Sequence, residues 1–199
     1  MTQRRTPVRM IVVLGIDPGL RATGYSIIQG DSSGVCLASG GVLRSPSSDL
    51  GGTLRVLHRA LGRLLADHRP DLVAVEDLFA HPAFPRAALA VAHARGVMWL
   101  AAGEAGVDVL SLAPAEVKRV LTGSGRAAKG QMARAVSRLL GCAVDDAHVA
   151  DAAALALTAL SRRGVPLQPS SRSHPAAPSR SVARAAAGAV AAPVPRGGG

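Results

Sequence analysis

Apolar residues follow two different spacings along the chain, and these spacings predict which segments are strands and which are helices. Residues 10–16 are apolar and largely β-branched on both faces, a pattern typical of a buried central strand. Residues 22–29 and 35–43 are predicted to be two further strands joined by a short polar turn, so the domain opens with an antiparallel meander. Two shorter apolar runs, 72–75 and 107–112, predict a fourth and a fifth strand.

The second spacing is helical. Leucines recur at intervals of three and four residues over 49–68, with arginine and histidine on the opposite side. Four more helices are predicted at 86–103, 114–121, 129–140 and 148–161. Three strands followed by alternating helices and strands predict an α/β fold, with a mixed five-stranded sheet flanked by helices on both faces.

Composition divides the chain into three parts. Residues 1–9 are predicted to be a basic N-terminal extension, and residues 10–163 carry all of the predicted strands and helices. Residues 164–199 are rich in proline, serine, alanine and glycine, contain no acidic residue and carry four arginines. Such a segment buries too little apolar surface to offset its ordering entropy, so we expect a disordered basic tail.

The formal net charge of +10 points to a polyanionic partner, although a GC-rich genome would also raise the arginine content. The two cysteines, Cys36 and Cys142, stand alone, with no spacing typical of a zinc site or a disulfide framework. This fits a reducing cytoplasm. No apolar run is long enough to span a membrane, and the expectation is therefore a cytoplasmic protein with no membrane partner.

Three acidic residues are placed to share one crevice. Asp17 ends the first predicted strand and Glu76 ends the fourth, while Asp151 lies in the first turn of the last helix, three residues after His148. Neighbouring strands deliver side chains at their carboxyl ends to a common edge of the sheet. Clustered carboxylates repel one another unless a cation lies between them, and hard oxygen ligands suit magnesium. Two such ions would support phosphodiester hydrolysis.

Each of these residues also has a purely structural interpretation. Asp17 could simply begin the Asp-Pro-Gly turn that follows it. Asp151 could complement the helix dipole, and His148 could be an ordinary residue at a helix start. A Glu at the end of a strand buried by helices is harder to explain without a partner, which makes Glu76 the most informative of the set.

A basic loop offers a surface for phosphates. Only two of the 23 basic residues are lysines, Lys118 and Lys129, and they flank a glycine-rich loop that carries Ser124 and Arg126. Free amides, a hydroxyl and positive charges suit the phosphate backbone of a nucleic acid, although a solvated helix face is the competing interpretation. Phe79, three residues after Glu76, could wedge against a base or could pack into the core.

Four sequence blocks resemble the RuvC-type Holliday junction resolvases, and the likeness covers about residues 10–162 in matching order and spacing. They are Gly-Ile-Asp-Pro-Gly at 15–19, Val-Glu at 75–76, Ala-Glu-Val-Lys at 115–118 with Thr-Gly-Ser-Gly-Arg-Ala-Ala-Lys at 122–129, and His-Val-Ala-Asp-Ala-Ala at 148–153. The resemblance implies an RNase H-like fold and a homodimer. It also implies paired symmetric nicks across four-way junction DNA in recombination and repair, and the RuvA–RuvB branch-migration complex as partner.

The resemblance also implies roles for individual residues. Asp17, Glu76, Asp151 and His148 would hold two magnesium ions per active site, with manganese as a substitute. Lys118, Lys129 and Phe79 match DNA-contacting positions of the family. The sequence departs from the family at three places. The stretch 80–85 is rich in proline, which bears on junction opening and cutting preference. The segment ADAAALAL around Asp151 and the basic tail also differ from the family pattern.

Three other functions remain open at this stage. A nuclease of the ribosomal-RNA-processing kind shares the Gly-Ile-Asp-Pro-Gly start and would prefer structured RNA. An actin-like or sugar-kinase ATPase opens with a similar glycine-rich hairpin but needs a second lobe, for which this chain is too short. A non-catalytic junction-binding module would follow if the acidic residues failed to converge.

Overall fold

The computed structural model describes residues 9–45, 49–77 and 85–171, and this part of the chain forms one sheet with helices on its two faces. The elements, in chain order, are β1 (Ile11–Asp17), β2 (Ala22–Asp31), β3 (Gly34–Arg44), α1 (Leu50–His68), β4 (Leu72–Glu76), α2 (Pro85–Glu104), β5 (Val109–Leu112), α3 (Pro114–Thr122), α4 (Lys129–Leu140) and α5 (Ala147–Arg162).

The sheet has the order β3-β2-β1-β4-β5 within these residues. Strands β1, β2 and β3 pair antiparallel, whereas β4 pairs parallel with both β1 and β5. The predicted mixed five-stranded sheet and its opening meander are therefore confirmed. Strand β5 begins at residue 109, later than predicted, because the backbone N–H of Val107 bonds to the carbonyl of Ala102 and closes the turn after α2.

Alternate residues of the central strand contribute to two separate cores. Leu14 and Ile16 face the layer formed by α1 and α2. Val13 faces the layer formed by α3, α4 and α5, where alanines of α5 supply much of the packing surface. Because successive side chains of a strand point to opposite faces, one short strand anchors both helical layers. The prediction of helices on both faces is confirmed.

Helix α5 lies unusually close to the sheet because glycines face it. A Cβ atom on Gly15 would lie 2.0 Å from the carbonyl oxygen of Ala152, and one on Gly24 would lie 2.2 Å from that of His148. The buried hydroxyl of Ser26 donates to the carbonyl of Val149 at 2.8 Å. Strands β1 and β2 thus fix the first turns of α5 directly above the carboxyl end of β1.

The folded part of the chain continues past the predicted boundary at residue 163. Val165 is buried, the N–H of Val35 donates to the carbonyl of Gln168 at 2.8 Å, and the N–H of Ser170 donates to the carbonyl of Val35 at 2.9 Å. Residues 164–171 therefore pack along the start of β3, and the boundary predicted at 163 lies too early. The predicted tail from 172 onwards and the extension over 1–8 fall outside the described residues.

At the other end, Arg9 forms an ion pair with Asp71 at 2.6 Å. Among the residues described, no helix has the length and apolar character that crossing a membrane requires.

Candidate active site at the carboxyl ends of β1 and β4

The three acidic residues singled out from the sequence line one cavity. Asp17, Glu76 and Asp151 surround a space of about 220 Å³, together with Lys118 and Lys129. Its apolar walls come from α3, α4 and α5, through Val117, Met132, Ala154 and Leu155 among others. The predicted convergence of the three carboxylates is therefore observed.

Strand register explains how Asp17 and Glu76 meet. Strands β1 and β4 run parallel, with Ile16 opposite Val75, so the next residue of each strand emerges at the same edge of the sheet. Asp151 comes from α5, which the glycine contacts hold over that edge. Two strand ends and one helix thus supply the three carboxylates, and none depends on a flexible loop.

His148 lies against Asp17. Its Nδ1 atom is 3.0 Å from Oδ2 of Asp17, and the side chain of Asp146 caps α5 by accepting hydrogen bonds from the N–H groups of His148 and Val149. The cap fixes the helix start, and with it the position of the imidazole. The prediction that His148 adjoins the acidic cluster holds, with Asp17 as its direct contact.

Burial makes the carboxylates costly to ionise. Desolvation raises the pKa of Asp17 above its ordinary value, the hydrogen bond from His148 opposes the rise, and the charge of Asp151 adds to it. Desolvation likewise raises the pKa of Glu76, and the charges of Asp17 and Asp151 raise it further. Lys118 and Arg95 act in the opposite direction on Glu76. A shared cation would relieve this repulsion.

Lys129 supplies part of the compensating charge. Its ammonium group lies 3.0 Å from Oδ2 of Asp151, and this hydrogen bond raises the pKa of Lys129. The Lys129 side chain is otherwise 70% exposed, so its charge can move to a phosphate that approaches the cavity. Lys118 borders the same cavity from α3. Both lysines thus lie at the acidic site.

The donor set suits a hard divalent cation. Three carboxylates are ligands that suit magnesium or manganese, and the cavity leaves room for water and a phosphate oxygen. Within 9–45, 49–77 and 85–171, no three such side chains are already drawn together as a chelate. The residues fit the ion by chemistry and placement, and binding would require the carboxylates to close around it.

Two further predicted DNA contacts, Ser124 and Arg126, do not line this cavity. Ser124 borders a second depression of about 460 Å³, whose other polar residues include Gln131, Arg134 and Arg138. Arg126 is exposed on the same loop, and its N–H donates to the hydroxyl of Ser124 at 3.3 Å. Phe79 and the proline-rich stretch up to residue 84 lie outside the described residues, so their predicted roles remain predictions.

Sequence reasoning missed one charged residue beside the site. Arg95 of α2 is only 9% exposed, and its guanidinium donates to the backbone carbonyl of Glu76 and to the hydroxyl of Ser111. The signal was present in the sequence, because a single arginine interrupts the small and apolar residues around 94–98. A helix so poor in polar residues rarely buries an arginine without a specific partner.

Comparison with known proteins gives a consistent answer. The family model described as crossover junction endodeoxyribonuclease RuvC matches residues 13–159. The chain is similar to the crossover junction endodeoxyribonuclease RuvC of Rhodopirellula baltica, with 46% identity over 73% of this chain and 83% of that protein. The corresponding protein of an Anaeromyxobacter strain is 41% identical over 77% of this chain and 82% of its own length.

A solved structure agrees with these relatives. Thermus thermophilus RuvC in complex with Holliday junction substrate is 36% identical and superposes with a TM-score of 0.71. The alignment covers 77% of this chain and 96% of that one. The described part of the chain thus has the RNase H-like fold of the resolvases, as the sequence blocks implied.

Proposed function

Because this chain belongs to the RuvC family of crossover junction endodeoxyribonucleases, we propose that it cuts four-way DNA junctions at the cavity lined by Asp17, Glu76 and Asp151. The observation that carries this proposal is the convergence of three carboxylates and two lysines in one crevice at the edge of the sheet. Paired symmetric nicks of this kind resolve junctions in recombination and DNA repair.

Asp17, Glu76 and Asp151, with His148 beside Asp17, would hold two magnesium ions per site, and manganese would substitute for them. When bound, the ions would supply Lewis acidity at the scissile phosphate and lower the cost of placing three negative charges together. The described residues contribute the rest: α5 and the two strand ends hold the carboxylates, and residues of α3 and α4 form an apolar wall beside them. His148 orients the carboxylate of Asp17.

The two lysines would bind the phosphate that is cut. Lys129 pairs with Asp151 in the free protein, and its ammonium group would be available to a substrate phosphate when Asp151 serves as a metal ligand instead. An ammonium group near the scissile phosphate stabilises the negative charge that builds up during hydrolysis. Lys118 approaches from the opposite helix and would hold the neighbouring backbone.

The second depression would guide the DNA beyond the cut. Ser124 and Arg126 lie on the loop between α3 and α4, and Arg134 and Arg138 extend the positive surface along α4. Contacts with phosphates give affinity without sequence preference, which suits recognition of a junction by shape. Phe79 would add a wedge at the base pairs near the cut.

Helix α2 offers a surface for a second copy of the chain. Three of the four large apolar side chains that are exposed in the described residues lie on it, namely Leu89, Trp99 and Leu100. The helix also carries Gly96, where an added Cβ atom would meet no neighbouring atom within 4 Å. We propose a homodimer through this face, which would give two active sites related by twofold symmetry. The RuvA–RuvB complex would be the cytoplasmic partner.

One incubation separates this function from its rivals. Labelled four-way junction, linear duplex and structured RNA would each be incubated with the protein, with magnesium and with chelator. We expect the wild type to nick the junction selectively and only with the metal. Preference for structured RNA would favour the ribosomal-RNA-processing alternative, and binding without cleavage would favour a non-catalytic module.

The same assay with Asp17→Asn tests the site itself. The variant keeps the size and shape of the side chain but removes the charge that a metal ligand needs, so we expect junction binding within about threefold of wild type. Cleavage should fall by at least a factor of about 10³, which corresponds to about 4 kcal/mol of transition-state stabilisation. Cleavage at the wild-type rate would refute the assignment. Asp145→Asn, an exposed acid on the loop before α5, is the matched control and should leave cleavage unchanged.

A further inference from the structure

Arg95 is a buried cation on the inner side of α2. It is one of few charged residues in the described part of the chain to be almost fully buried, and Ala94 and Met98 beside it lie in the core. Removing a guanidinium from water is costly unless nearly all of its donors are satisfied. The contacts that satisfy Arg95 therefore indicate why the chain places a charge here.

Those contacts converge on the end of strand β4. One terminal nitrogen of Arg95 donates to the backbone carbonyl of Glu76. The other donates to the hydroxyl of Ser111 on β5 at 3.1 Å and lies 3.8 Å from a carboxylate oxygen of Asp77. The guanidinium thus joins α2, β4 and β5 at the residue where β4 leaves the sheet.

Glu76 needs such a support because the sheet no longer holds it from both sides. The ladder between β1 and β4 ends at Val75, one residue earlier, and on the other side Glu76 pairs with Leu112, the last residue of β5. A planar guanidinium with two acceptors holds a backbone carbonyl in a defined direction, which a lysine cannot match. A hydrogen bond to this carbonyl restrains the backbone of Glu76 and therefore the position from which its side chain extends.

We propose that Arg95 is a positioning residue that holds Glu76 in place for metal binding, through its hydrogen bond to the Glu76 carbonyl. This inference rests on the proposed function in so far as Glu76 is a metal ligand. Arg95 itself touches neither metal nor substrate; it acts through Glu76.

The test measures metal binding apart from cleavage. Full-length wild type, Arg95→Met, Arg95→Lys and Ser111→Ala would be titrated with magnesium and with manganese in a calorimeter, without DNA. Thermal unfolding in chelator would report the stability of each variant, and junction binding in chelator would report the substrate surface. Arg95→Met keeps an unbranched apolar side chain but is shorter, and it removes the guanidinium with all of its donors.

We expect Arg95→Met to weaken magnesium binding by on the order of tenfold, the usual effect of removing a group that orients a metal ligand, with junction binding unchanged. Arg95→Lys should recover part of the loss, since it keeps the charge and one donor. Ser111→Ala, which leaves the bond to Glu76 intact, should bind magnesium within about twofold of wild type.

A lower melting temperature with unchanged magnesium affinity in Arg95→Met would overturn the proposal and leave Arg95 a purely structural residue. If Arg95→Met fails to fold, Arg95→Lys decides the question: magnesium affinity reduced about threefold or more supports the proposal, and unchanged affinity overturns it. A wild-type protein that binds no magnesium would overturn the proposed function itself. The titration of the wild type alone gives that result, so it is distinguished from a failure of the Arg95 proposal, which the variants report.

Discussion

At the scale of single residues, the ionised acidic cluster lowers the free energy of unfolding of the metal-free protein at neutral pH. The folded-state pKa values of Asp17 and Glu76 lie above their ordinary values, chiefly through desolvation. A raised folded-state pKa stabilises the fold below the unfolded-state pKa, and that contribution is lost as pH rises through the folded-state value. At neutral pH the ionised carboxylates therefore oppose folding.

Glu76→Gln should consequently stabilise the protein in chelator at pH 7.5. We expect a gain of at most about 1 kcal/mol, since solvent screens part of the effect on a partly exposed side chain, or a melting temperature higher by up to about 2–4 °C for a chain of this size. The gain should shrink as pH falls toward 4.5, the ordinary pKa of a glutamate, and should vanish well below it, where the wild-type side chain is protonated in both states. Thermal unfolding across this pH range measures the difference.

Saturating magnesium should instead make the wild type more stable than Glu76→Gln. A ligand that binds only the folded state stabilises it in proportion to the logarithm of its concentration over Kd. Asp145→Asn provides the matched neutral change outside the cavity and should unfold with wild type in both conditions. A Glu76→Gln protein less stable than wild type in chelator would contradict the electrostatic argument.

At the scale of elements, the distance between α5 and the sheet determines where Asp151 lies. A methyl group on Gly15 would meet the carbonyl oxygen of Ala152, which is backbone and cannot rotate away. Helix α5 would have to move outward, and Asp151, the preceding residue, would move with it.

We therefore expect Gly15→Ala to destabilise the domain by about 3 kcal/mol and to abolish cleavage. Gly62→Ala is the control, because Gly62 lies within α1 and an added methyl meets nothing within 4 Å. That variant should gain about 0.5–1 kcal/mol from helix propensity and cut at the wild-type rate. Chemical denaturation gives both values. Wild-type stability in Gly15→Ala would show that α5 has more freedom than these contacts imply.

The sequence predicted the elements well wherever local signals were strong. Proline at the first position of α3, the aspartate caps of α1 and α5 and the left-handed Gly123 after α3 lie where such residues usually begin and end helices. The packing of residues 164–171 was missed, because its composition is that of a tail. The backbone bonds to Val35, the side-chain contacts of Gln168 and Ser170 with Ser33, and the burial of Val165 hold it on the domain.

At the scale of the whole molecule, the apolar face of α2 is the feature that the described part of the chain leaves uncovered. Trp99 is 47% exposed and Leu100 is 56% exposed, an arrangement more typical of an interface than of a solvated helix. In the proposed homodimer these side chains would be buried against the partner copy.

Trp99→Glu should weaken that dimer by a factor of about 30 or more, because truncating a buried interface tryptophan typically costs about 2 kcal/mol. Light scattering after size-exclusion chromatography, over a dilution series, measures the change. Leu50→Glu is the matched control: Leu50 is 44% exposed but lies on α1, so the variant should keep the wild-type mass. A wild-type protein that is monomeric at micromolar concentration would contradict the dimer proposal.

The sequence by itself determined the order of strands and helices along the chain, the placement of acidic residues at the ends of these elements, and the family of the protein. These follow from hydrophobic spacing, from caps and from short motifs, all of which act between near neighbours in the chain. It could not determine that Arg95 reaches the carbonyl of Glu76, that α5 lies against glycines, or that 164–171 pack on β3. Those contacts join residues far apart in sequence, and only tertiary packing brings such residues together.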